Sequence, residues 1–352
     1  MKIAVYAICK NESKFINRWY NSMKEADGIY VLDTGSTDNS VELLKSLKVN
    51  VASENISPWR FDVARNLSLQ LVPEDYDLCV CTDIDEVFNE GWRKIIEDNY
   101  KPGITRIKYT YNWFIENNIP KVFFWSEKIH IRKNFKWIYP VHEILKYDGD
   151  EKDLYLDNII LNHYPDNTKS RKQYLKLLEL SVKENPGNER TLHYLGREYM
   201  YYSKWDKSIK ILLKHLDISK WDLEKNASMR FIARCYKNKQ NIVESRKWYE
   251  KAIELCPYMR DAYIELAFLE YEQKNYDEVI KLCDNALKIT DCKKLYINEV
   301  FSWDHTVYDL LSLAYYYKGN YKESFKNINK ALEITNDERL VKNKNIIKKE
   351  LK

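Results

Sequence analysis

The sequence lacks the features that mark membrane-spanning, secreted and disulfide-bonded proteins. No apolar run reaches the roughly 18 residues that a transmembrane helix needs. The apolar start of the chain ends at Cys9, and charged residues follow it instead of a cleavage site, so we interpret it as a buried strand. The seven cysteines are odd in number and form no C-x-x-C pair, which favours reduced thiols and predicts a cytoplasmic protein.

Glycine and proline are also scarce, with eight of each in 352 residues, so we expect no long structureless linker. The net charge of +4 indicates no nucleic-acid partner. Acidic residues outnumber basic ones in residues 1–165, and the reverse holds for the rest of the chain. The basic part is compatible with an acidic acceptor or with peripheral contact to a membrane surface, and a solvated helical face is the simpler interpretation.

Two halves with different hydrophobic periodicity follow one another along the chain. In residues 1–165, short apolar runs predict strands, and amphipathic stretches between them predict helices. The predicted strands are residues 3–9, 28–33, 49–53, 78–82, 104–111 and 122–131, and the predicted helices are residues 14–26, 39–47 and 61–71. This order predicts an α/β domain with a Rossmann-like, mostly parallel sheet that binds ligands at the carboxyl ends of its strands.

The second half is purely helical, and its pattern repeats. Residues 251–255, 285–289 and 330–334 spell nearly the same element, and the first two copies are 34 residues apart. This helix–turn–helix period resembles the tetratricopeptide repeat. We therefore predict a linking helix at 166–186 and an all-α tetratricopeptide-repeat solenoid at 187–352, with about four repeats and a C-terminal helix.

Polar residues follow three of the predicted strands, at the edge where an α/β domain places its site. Asn11 and Glu12 follow the first strand, an Asp33-Thr34-Gly35-Ser36 segment ends the second, and Asp83-Ile84-Asp85 follows the fourth. Alternate residues of a strand point to opposite sides, so a turn is needed to direct both carboxylates at one ion. Carboxylates suit Mg²⁺ or Mn²⁺, so the pair predicts a metal site, with a solvated acidic turn as the alternative.

The segment that begins at Asp33 has two further interpretations. It is compatible with a simple strand-to-helix turn, in which Gly35 takes a special backbone angle and Ser36 or Asp38 caps the helix. It also spells the tetrad of an aspartic protease. That interpretation fails, because such proteases are β-rich and need two copies, whereas this chain has one copy followed by a helical pattern.

Four segments in this order resemble family 2 glycosyltransferases: residues 7–12, 33–40, 61–66 and 83–86. The resemblance covers residues 1 to about 165, and helical repeats after such a domain resemble a bacterial subgroup. It implies a GT-A fold and an inverting transfer from a nucleotide-diphosphate sugar, most often a UDP-sugar. The acceptor would be a peptide, a protein or a surface glycan, and the repeats would bind it or form a homodimer.

The resemblance also implies roles for single residues. Asp33 would recognise the base, and Cys9, Asn11 and Glu12 would line the nucleoside pocket. Asp62 and Arg65 would lie beside the base or the diphosphate, and Asp83 would contact the ribose. Ile84 would also lie among the residues that bind the donor. Asp85 would hold the metal, and Asp83 is a further candidate ligand. His163 is a candidate for a third metal ligand or for a contact with the diphosphate, with a structural histidine as the alternative. An ion pair between Asp62 and Arg65, three residues apart on one helix, is the structural alternative for Arg65.

The transfer reaction also needs a general base that takes the acceptor's proton. Glu143 and His142 follow the last predicted strand, where the family places acceptor-side residues, and either is a candidate.

Two other classes of function compete with the transferase. One is a catalytically inactive transferase-like scaffold that binds peptides through its repeats. The other is a nucleotidyltransferase, which the absence of a glycine-rich, lysine-containing N-terminal loop disfavours. The absence of G-x-G-x-x-G and P-loop motifs disfavours dehydrogenases and NTPases.

Overall fold

Strands and helices alternate regularly at the start of the chain, as the sequence predicts. The computed structural model describes residues 1–116, 119–166 and 172–351. The first elements are β1 (Ile3–Cys9), α1 (Ser13–Met23), β2 (Gly28–Asp33), α2 (Ser40–Ser46), β3 (Asn50–Ser53), α3 (Phe61–Gln70) and β4 (Leu78–Thr82). The predicted helices and strands of this part are confirmed to within a few residues.

The rest of the first half holds more elements than the periodicity predicted. They comprise β5 (Glu86–Phe88), α4 (Trp92–Asn99), β6 (Arg106–Glu116), β7 (Ile119–Ile131), β8 (Phe135–Ile138), β9 (Ile144–Tyr147), β10 (Asp153–His163) and α5 (Lys172–Glu184). The predicted strands 104–111 and 122–131 are confirmed, and they overlap the first six residues of β6 and the last ten residues of β7. Residues 167–171, within the predicted linking helix 166–186, lie outside the described residues.

The sheet has eight strands in the described part of the chain, in the order β3-β2-β1-β4-β7-β6-β10-β5. The first four strands are parallel, whereas β7 runs antiparallel to both β4 and β6. The expected mostly parallel sheet is therefore correct for β1–β4 and gives way to a mixed sheet beyond them. The reason is that β6 and β7 form a hairpin, and a short connection can only join antiparallel strands.

The hydrophobic core of this sheet explains why its first strands are continuous apolar runs. In β1 every residue but Ile8 is buried, because helices or loops cover both faces of a parallel sheet. Trp19, Met23 and Trp92 pack into the same core. A separate two-stranded sheet pairs β8 with β9.

The chain divides into two units, Met1–Glu184 with Lys294–Tyr296, and Asn185–Lys293 with Ile297–Lys352. The second unit comprises the helices α6 (Glu189–Tyr201), α7 (Trp205–Ile218), α8 (Asp222–Asn238), α9 (Ile242–Leu255), α10 (Arg260–Glu272), α11 (Tyr276–Leu287), α12 (Thr306–Tyr317), α13 (Tyr321–Ile334) and α14 (Glu338–Glu350). No helix in the described part of the chain combines the length and the apolarity needed to span a bilayer.

Helices α6 to α13 pack as four consecutive antiparallel hairpins, and α14 follows them. The three repeated sequence elements lie at the ends of α9, α11 and α13, the second helices of their hairpins. Asparagines begin several helices: the side chains of Asn188, Asn241 and Asn320 each accept a backbone N–H three residues later. A short 3-10 helix, Val300–Ser302, lies in the longer connection before α12.

Gly196 sets how closely α6 and α7 approach. A Cβ atom at this position would lie 2.4 Å from Leu212 Cδ2 and 2.5 Å from its Cγ, and Leu212 is fully buried. The Ser208 hydroxyl donates a 2.7 Å hydrogen bond to the Gly196 carbonyl across the same contact. The two helices therefore pack at a separation that only glycine permits.

We expect Gly196→Ala to lower the free energy of unfolding by about 1–3 kcal/mol, because the added methyl group overpacks this contact. Urea unfolding followed by circular dichroism measures the change. Gly187→Ala is the matched control, since a Cβ there would meet no atom within 4 Å. Equal effects of the two substitutions would contradict the packing argument.

Candidate functional site

The carboxyl ends of β2, β1 and β4 lie side by side. Cys9 pairs with Asp33 in the register of β1 and β2, and Ala7 pairs with Thr82 in the register of β1 and β4. The order of the strands reverses between β1 and β4, and in open α/β sheets ligands bind in the crevice at such a point. The segments predicted to bind a ligand therefore follow neighbouring strands at this edge.

The loops after β1 and β2 are joined by hydrogen bonds. The Asn11 N–H donates to Ser36 Oγ (2.9 Å), and Asn11 Oδ1 accepts the Thr37 N–H (2.7 Å). The Glu12 N–H donates to Ser40 Oγ (2.9 Å). Asn11 has a positive φ of 55°, a conformation that asparagine tolerates better than most residues. These bonds hold the two loops in one arrangement.

Asp33 is 3% exposed and organises the second loop from inside. Its carboxylate accepts the backbone N–H groups of Gly35 (3.1 Å) and Ser36 (3.2 Å). Gly35 has a φ of 98°, and no atom lies within 4 Å of where its Cβ would be, so the backbone is open to a ligand on that side. The interpretation of this segment as a strand-to-helix turn is confirmed. Asp38, rather than Ser36, accepts the Ser40 N–H at the start of α2 (3.0 Å).

The acidic segment after β4 forms the turn that two outward-facing carboxylates require. Residues 84–85 adopt the turn, and the Glu86 N–H donates to the Asp83 carbonyl (3.1 Å). In return the Asp83 N–H donates to Glu86 Oε2 (2.8 Å). The Ile84 side chain packs in the core, and Asp83 and Asp85 on either side of it remain partly exposed.

Arg65, on α3, holds two of the predicted residues together. Its side chain is 4% exposed and donates from Nη2 to Asp83 Oδ1 (2.6 Å) and from Nε to Glu143 Oε1 (2.9 Å). The alternative ion pair with Asp62 is wrong, because Asp62 instead binds Arg60 through both of its oxygens (3.0 and 2.9 Å). The planar guanidinium suits this role, since its donors can serve two carboxylates at once.

Asn66, the residue after Arg65, ties α3 to β8. Its amide nitrogen donates to the Trp137 carbonyl (2.8 Å), and its amide oxygen accepts the Trp137 N–H (2.9 Å). The Phe61 N–H donates to the Pro140 carbonyl (3.0 Å). The loop that carries the two base candidates is thus anchored to α3. Within it, Tyr139 and His142 have positive φ values of 78° and 49°.

Lys128, on β7, is a site residue that the sequence did not indicate. Its Nζ lies 3.5 Å from Asp83 Oδ2 and 3.4 Å from Glu86 Oε1. Glu86 Oε1 also accepts the Tyr111 hydroxyl (2.8 Å). A single lysine in an otherwise mixed strand carries no signal of its own. Glu86 does have a signal, because it directly follows the acidic pair.

The pKa values of these groups follow from burial and charge. Burial raises the pKa of Asp83, but the charges of Arg65 and Lys128 outweigh it and hold that pKa well below its ordinary value. For Glu86, burial dominates and raises the pKa, although Lys128 opposes the change. Burial lowers the pKa of Lys128, but the charges of Glu86 and Asp83 raise it by more. The pKa of Lys128 therefore lies above its ordinary value. Asp83 therefore carries its charge in the folded protein.

His163 meets Asp85 because β5 pairs with β10. The antiparallel register places His163 opposite Glu86, and Nε2 of its ring lies 3.3 Å from Asp85 Oδ2. The ring stacks near Tyr111 and Trp113, with interplanar angles of 22° and 24°. Nδ1 is buried and has no hydrogen-bond partner among the described residues, so Asp85 and the stacking set the orientation of the ring.

Asp85 and His163 could hold a divalent cation between them. Two neighbouring ligands of an octahedral ion with bonds of about 2.1 Å lie about 3 Å apart, close to the observed 3.3 Å. Asp83 differs, because its two oxygens already face Arg65 and Lys128. The structure therefore places Asp85 next to His163. The Asp83 carboxylate instead faces the positively charged side chains of Arg65 and Lys128.

Three other predicted residues lie in different surroundings. The side chains of Cys9 and Ile84 belong to the hydrophobic core, so only their backbone groups can face a ligand. The His142 ring lies edge-on to Tyr174 on α5, with ring centroids 5.9 Å apart.

We expect Arg65→Ala to lower the free energy of unfolding by about 3–5 kcal/mol, because it leaves Asp83 and Glu143 without their buried partner. Thermal and urea unfolding measure the loss. Lys94→Ala is the control: it removes an exposed ion pair with Asp98, and we expect unfolding like that of the unmodified chain. A loss no larger than that of the control would show that the two carboxylates are satisfied without Arg65.

The chain is similar to known proteins that contain tetratricopeptide repeats. Residues 231–258 and 305–338 match the tetratricopeptide repeat family. Outer dynein arm-docking complex subunit 4 of Xenopus laevis is 28% identical over 126 residues, which are 34% of this chain and 24% of that protein. The chain thus spans about a quarter of that relative.

Two solved structures are similar over part of the chain. The MamA protein is 21% identical, with a TM-score of 0.37, over 45% of this chain and 79% of that chain. YrrB, a TPR protein with an unusual peptide-binding site, is 13% identical, with a TM-score of 0.36, over 48% and 80%. Scores below 0.5 add nothing to the family match. That match and the four helical hairpins establish that the second unit is an all-α solenoid with tetratricopeptide repeats.

Proposed function

We propose that the chain is a metal-dependent, inverting glycosyltransferase that moves a sugar from a nucleotide-diphosphate donor, most simply a UDP-sugar. The observation that carries the proposal is the set of charged groups after β4, where Arg65 binds Asp83 and Glu143 and Asp85 meets His163. It lies at the edge of the sheet where α/β proteins bind nucleotides. The resemblance of four ordered segments to family 2 glycosyltransferases supports the same function.

The nucleoside would bind over the joined loops after β1 and β2. Asp33 is fixed by two backbone N–H groups, so its carboxylate is pre-oriented to accept a hydrogen bond from the base. Asn11 and Glu12 border the same loops. The open space above Gly35 leaves room for a planar ring.

Asp85 and His163 would hold a Mn²⁺ or Mg²⁺ ion, which neutralises the diphosphate leaving group when bound. Asp83 would contact the ribose, since a ribose hydroxyl can donate to a carboxylate that keeps its contacts with Arg65 and Lys128. Coordination of the ion by Asp83 would require one of these cations to move. Arg65 would act as a positioning residue, because carboxylates of the protein already occupy its fork.

Glu143 is the stronger candidate for the general base. Arg65 fixes one of its oxygens within reach of the Asp83 site, on a loop anchored to α3. In the reaction, the acceptor oxygen attacks the anomeric carbon, and its proton passes to the base. The bond from that carbon to the diphosphate oxygen breaks, and its electron pair leaves with the diphosphate. His142, on the same loop, is the second candidate.

The acceptor would be a peptide, a protein or a surface glycan. The second unit has a groove of about 530 Å³ lined by aromatic and charged side chains, among them Trp205, Phe268, Arg234 and Lys237. Such a lining suits a polypeptide, since aromatic faces bind apolar side chains. Arg234 and Lys237 border these faces and pair with glutamates of the protein.

We expect calorimetric titration with UDP to give binding that needs Mn²⁺ and is lost in Asp85→Asn. Asp98→Asn, an exposed aspartate of the same unit, is the control and should bind like the unmodified chain. Hydrolysis of a panel of UDP-sugars then identifies the donor. Failure of every nucleoside diphosphate to bind, in folded protein with Mn²⁺, would overturn the proposal.

We expect Glu143→Gln to reduce sugar transfer by about 10²–10⁴-fold and to retain UDP binding. Glutamine keeps an oxygen that accepts from Arg65 but cannot take the acceptor's proton. Initial rates with the identified donor measure the loss. Turnover near that of the unmodified chain would exclude Glu143 as the base and transfer the role to His142.

A second candidate is a transferase-like scaffold without activity that binds peptides through its repeats. The family match lies in the second unit, so it favours this candidate more directly than it favours the transferase. The calorimetric titration separates the two, because a scaffold has no reason to keep a metal-dependent nucleotide site.

A further inference from the structure

The second unit contains a buried group of metal-binding side chains that no transferase function requires. His193 on α6, His215 on α7 and Glu224 on α8 each offer one donor atom, and the three atoms lie within 4.8 Å of one another. The two histidines are 0% exposed and the glutamate is 3% exposed. It is the one such group of three found in the described part of the chain.

Ser228 orients both imidazole rings. Its Oγ lies 2.8 Å from His193 Nδ1 and 2.9 Å from His215 Nδ1. Metal-binding histidines commonly use one ring nitrogen for the ion and the other for a hydrogen bond that fixes the ring. An ion bound through the Nε2 atoms would leave both Nδ1 atoms in their contacts with Ser228. His215 Nε2 lies 3.1 Å from Glu224 Oε2, on that side of the ring.

We propose that His193, His215 and Glu224 form a zinc site that links α6, α7 and α8. Two imidazoles and one carboxylate are a known ligand set for Zn²⁺, with a water molecule in the fourth position. Tetrahedral bonds of about 2.1 Å place ligand atoms about 3.4 Å apart, close to the separation of His215 and Glu224. The ligand atom of His193 lies within 4.8 Å of those of His215 and Glu224.

The chemistry of the group selects zinc over the ion of the first unit. Mg²⁺ and Mn²⁺ prefer oxygen ligands, and Mg²⁺ keeps several water molecules. A buried site with two nitrogen donors supplies neither a full set of oxygen ligands nor several water molecules. The ion would also place a positive charge next to the buried Glu224 carboxylate, which contacts His215 Nε2. The site would fasten the first hairpin of the repeats to the second.

The competing explanation is a hydrogen-bond chain without an ion. In that chain His193 Nδ1–H donates to Ser228, the Ser228 hydroxyl donates to His215 Nδ1, and His215 Nε2–H donates to Glu224. Both arrangements satisfy the observed distances, but they differ in proton content and in metal binding. Metal analysis therefore decides between them.

The experiment uses the full chain carrying Asp85→Asn, so that the proposed site of the first unit contributes no metal. Protein purified without a metal-affinity column is freed of metal with a chelator and titrated with Co²⁺ and then Zn²⁺. We expect one equivalent of Co²⁺ to give a visible d–d spectrum, Zn²⁺ to displace it, and the melting temperature to rise. Thiolate charge-transfer absorption in the near ultraviolet would instead place the ion on cysteine and overturn the proposal.

Variants test the ligands one at a time. Glu224→Gln keeps an acceptor for His215 Nε2–H and should abolish the Co²⁺ spectrum, and Ser228→Ala should weaken binding about 10–100-fold. His305→Gln, a partly exposed histidine of the same unit, is the control and should leave binding unchanged. Circular dichroism confirms that each variant folds. If the folded Asp85→Asn chain binds no more Zn²⁺ than the same chain with Glu224→Gln added, the hydrogen-bond chain is the explanation.

Discussion

A buried positive charge, the guanidinium of Arg65, is the constraint on which the first unit's site depends. At 4% exposure it cannot be solvated, so carboxylates from separate parts of the chain must approach it. One comes from the turn after β4 and the other from the loop after β8. Asn66, on the same helix, fixes β8 by two further hydrogen bonds. One turn of α3 thus sets the positions of groups that lie far apart in sequence.

The turn after β4 carries acidic side chains that lie in different surroundings. Asp83 faces cations and stays charged, whereas Glu86 is fully buried and has a raised pKa. Asp85 lies beyond both and meets a histidine instead. The proposed transferase uses these two aspartates differently. Asp83, which faces Arg65 and Lys128, would accept a hydrogen bond from the ribose, and Asp85, which faces His163, would bind the ion.

The second unit depends on different physics. Its helices pack through small residues and apolar contacts that repeat along the chain, as Gly196 against Leu212 illustrates. Some of its buried polar groups contact one another, as the contacts through Ser228 demonstrate. Such groups are costly to bury unless they are fully paired, so they restrict how neighbouring hairpins can pack.

The sequence by itself determined the features that depend on short-range pattern. Hydrophobic periodicity predicted β1 to β4 and the helices between them, the 34-residue period predicted the hairpins, and polar residues after three strands indicated the edge that holds the candidate site. Only the tertiary structure decided that β7 runs antiparallel, that Arg65 binds Asp83 rather than Asp62, that Lys128 joins the site and that β10 brings His163 to Asp85. These features depend on strand register and on the pairing of buried charges, which join residues distant in sequence, whereas periodicity reports only the neighbours of each residue along the chain.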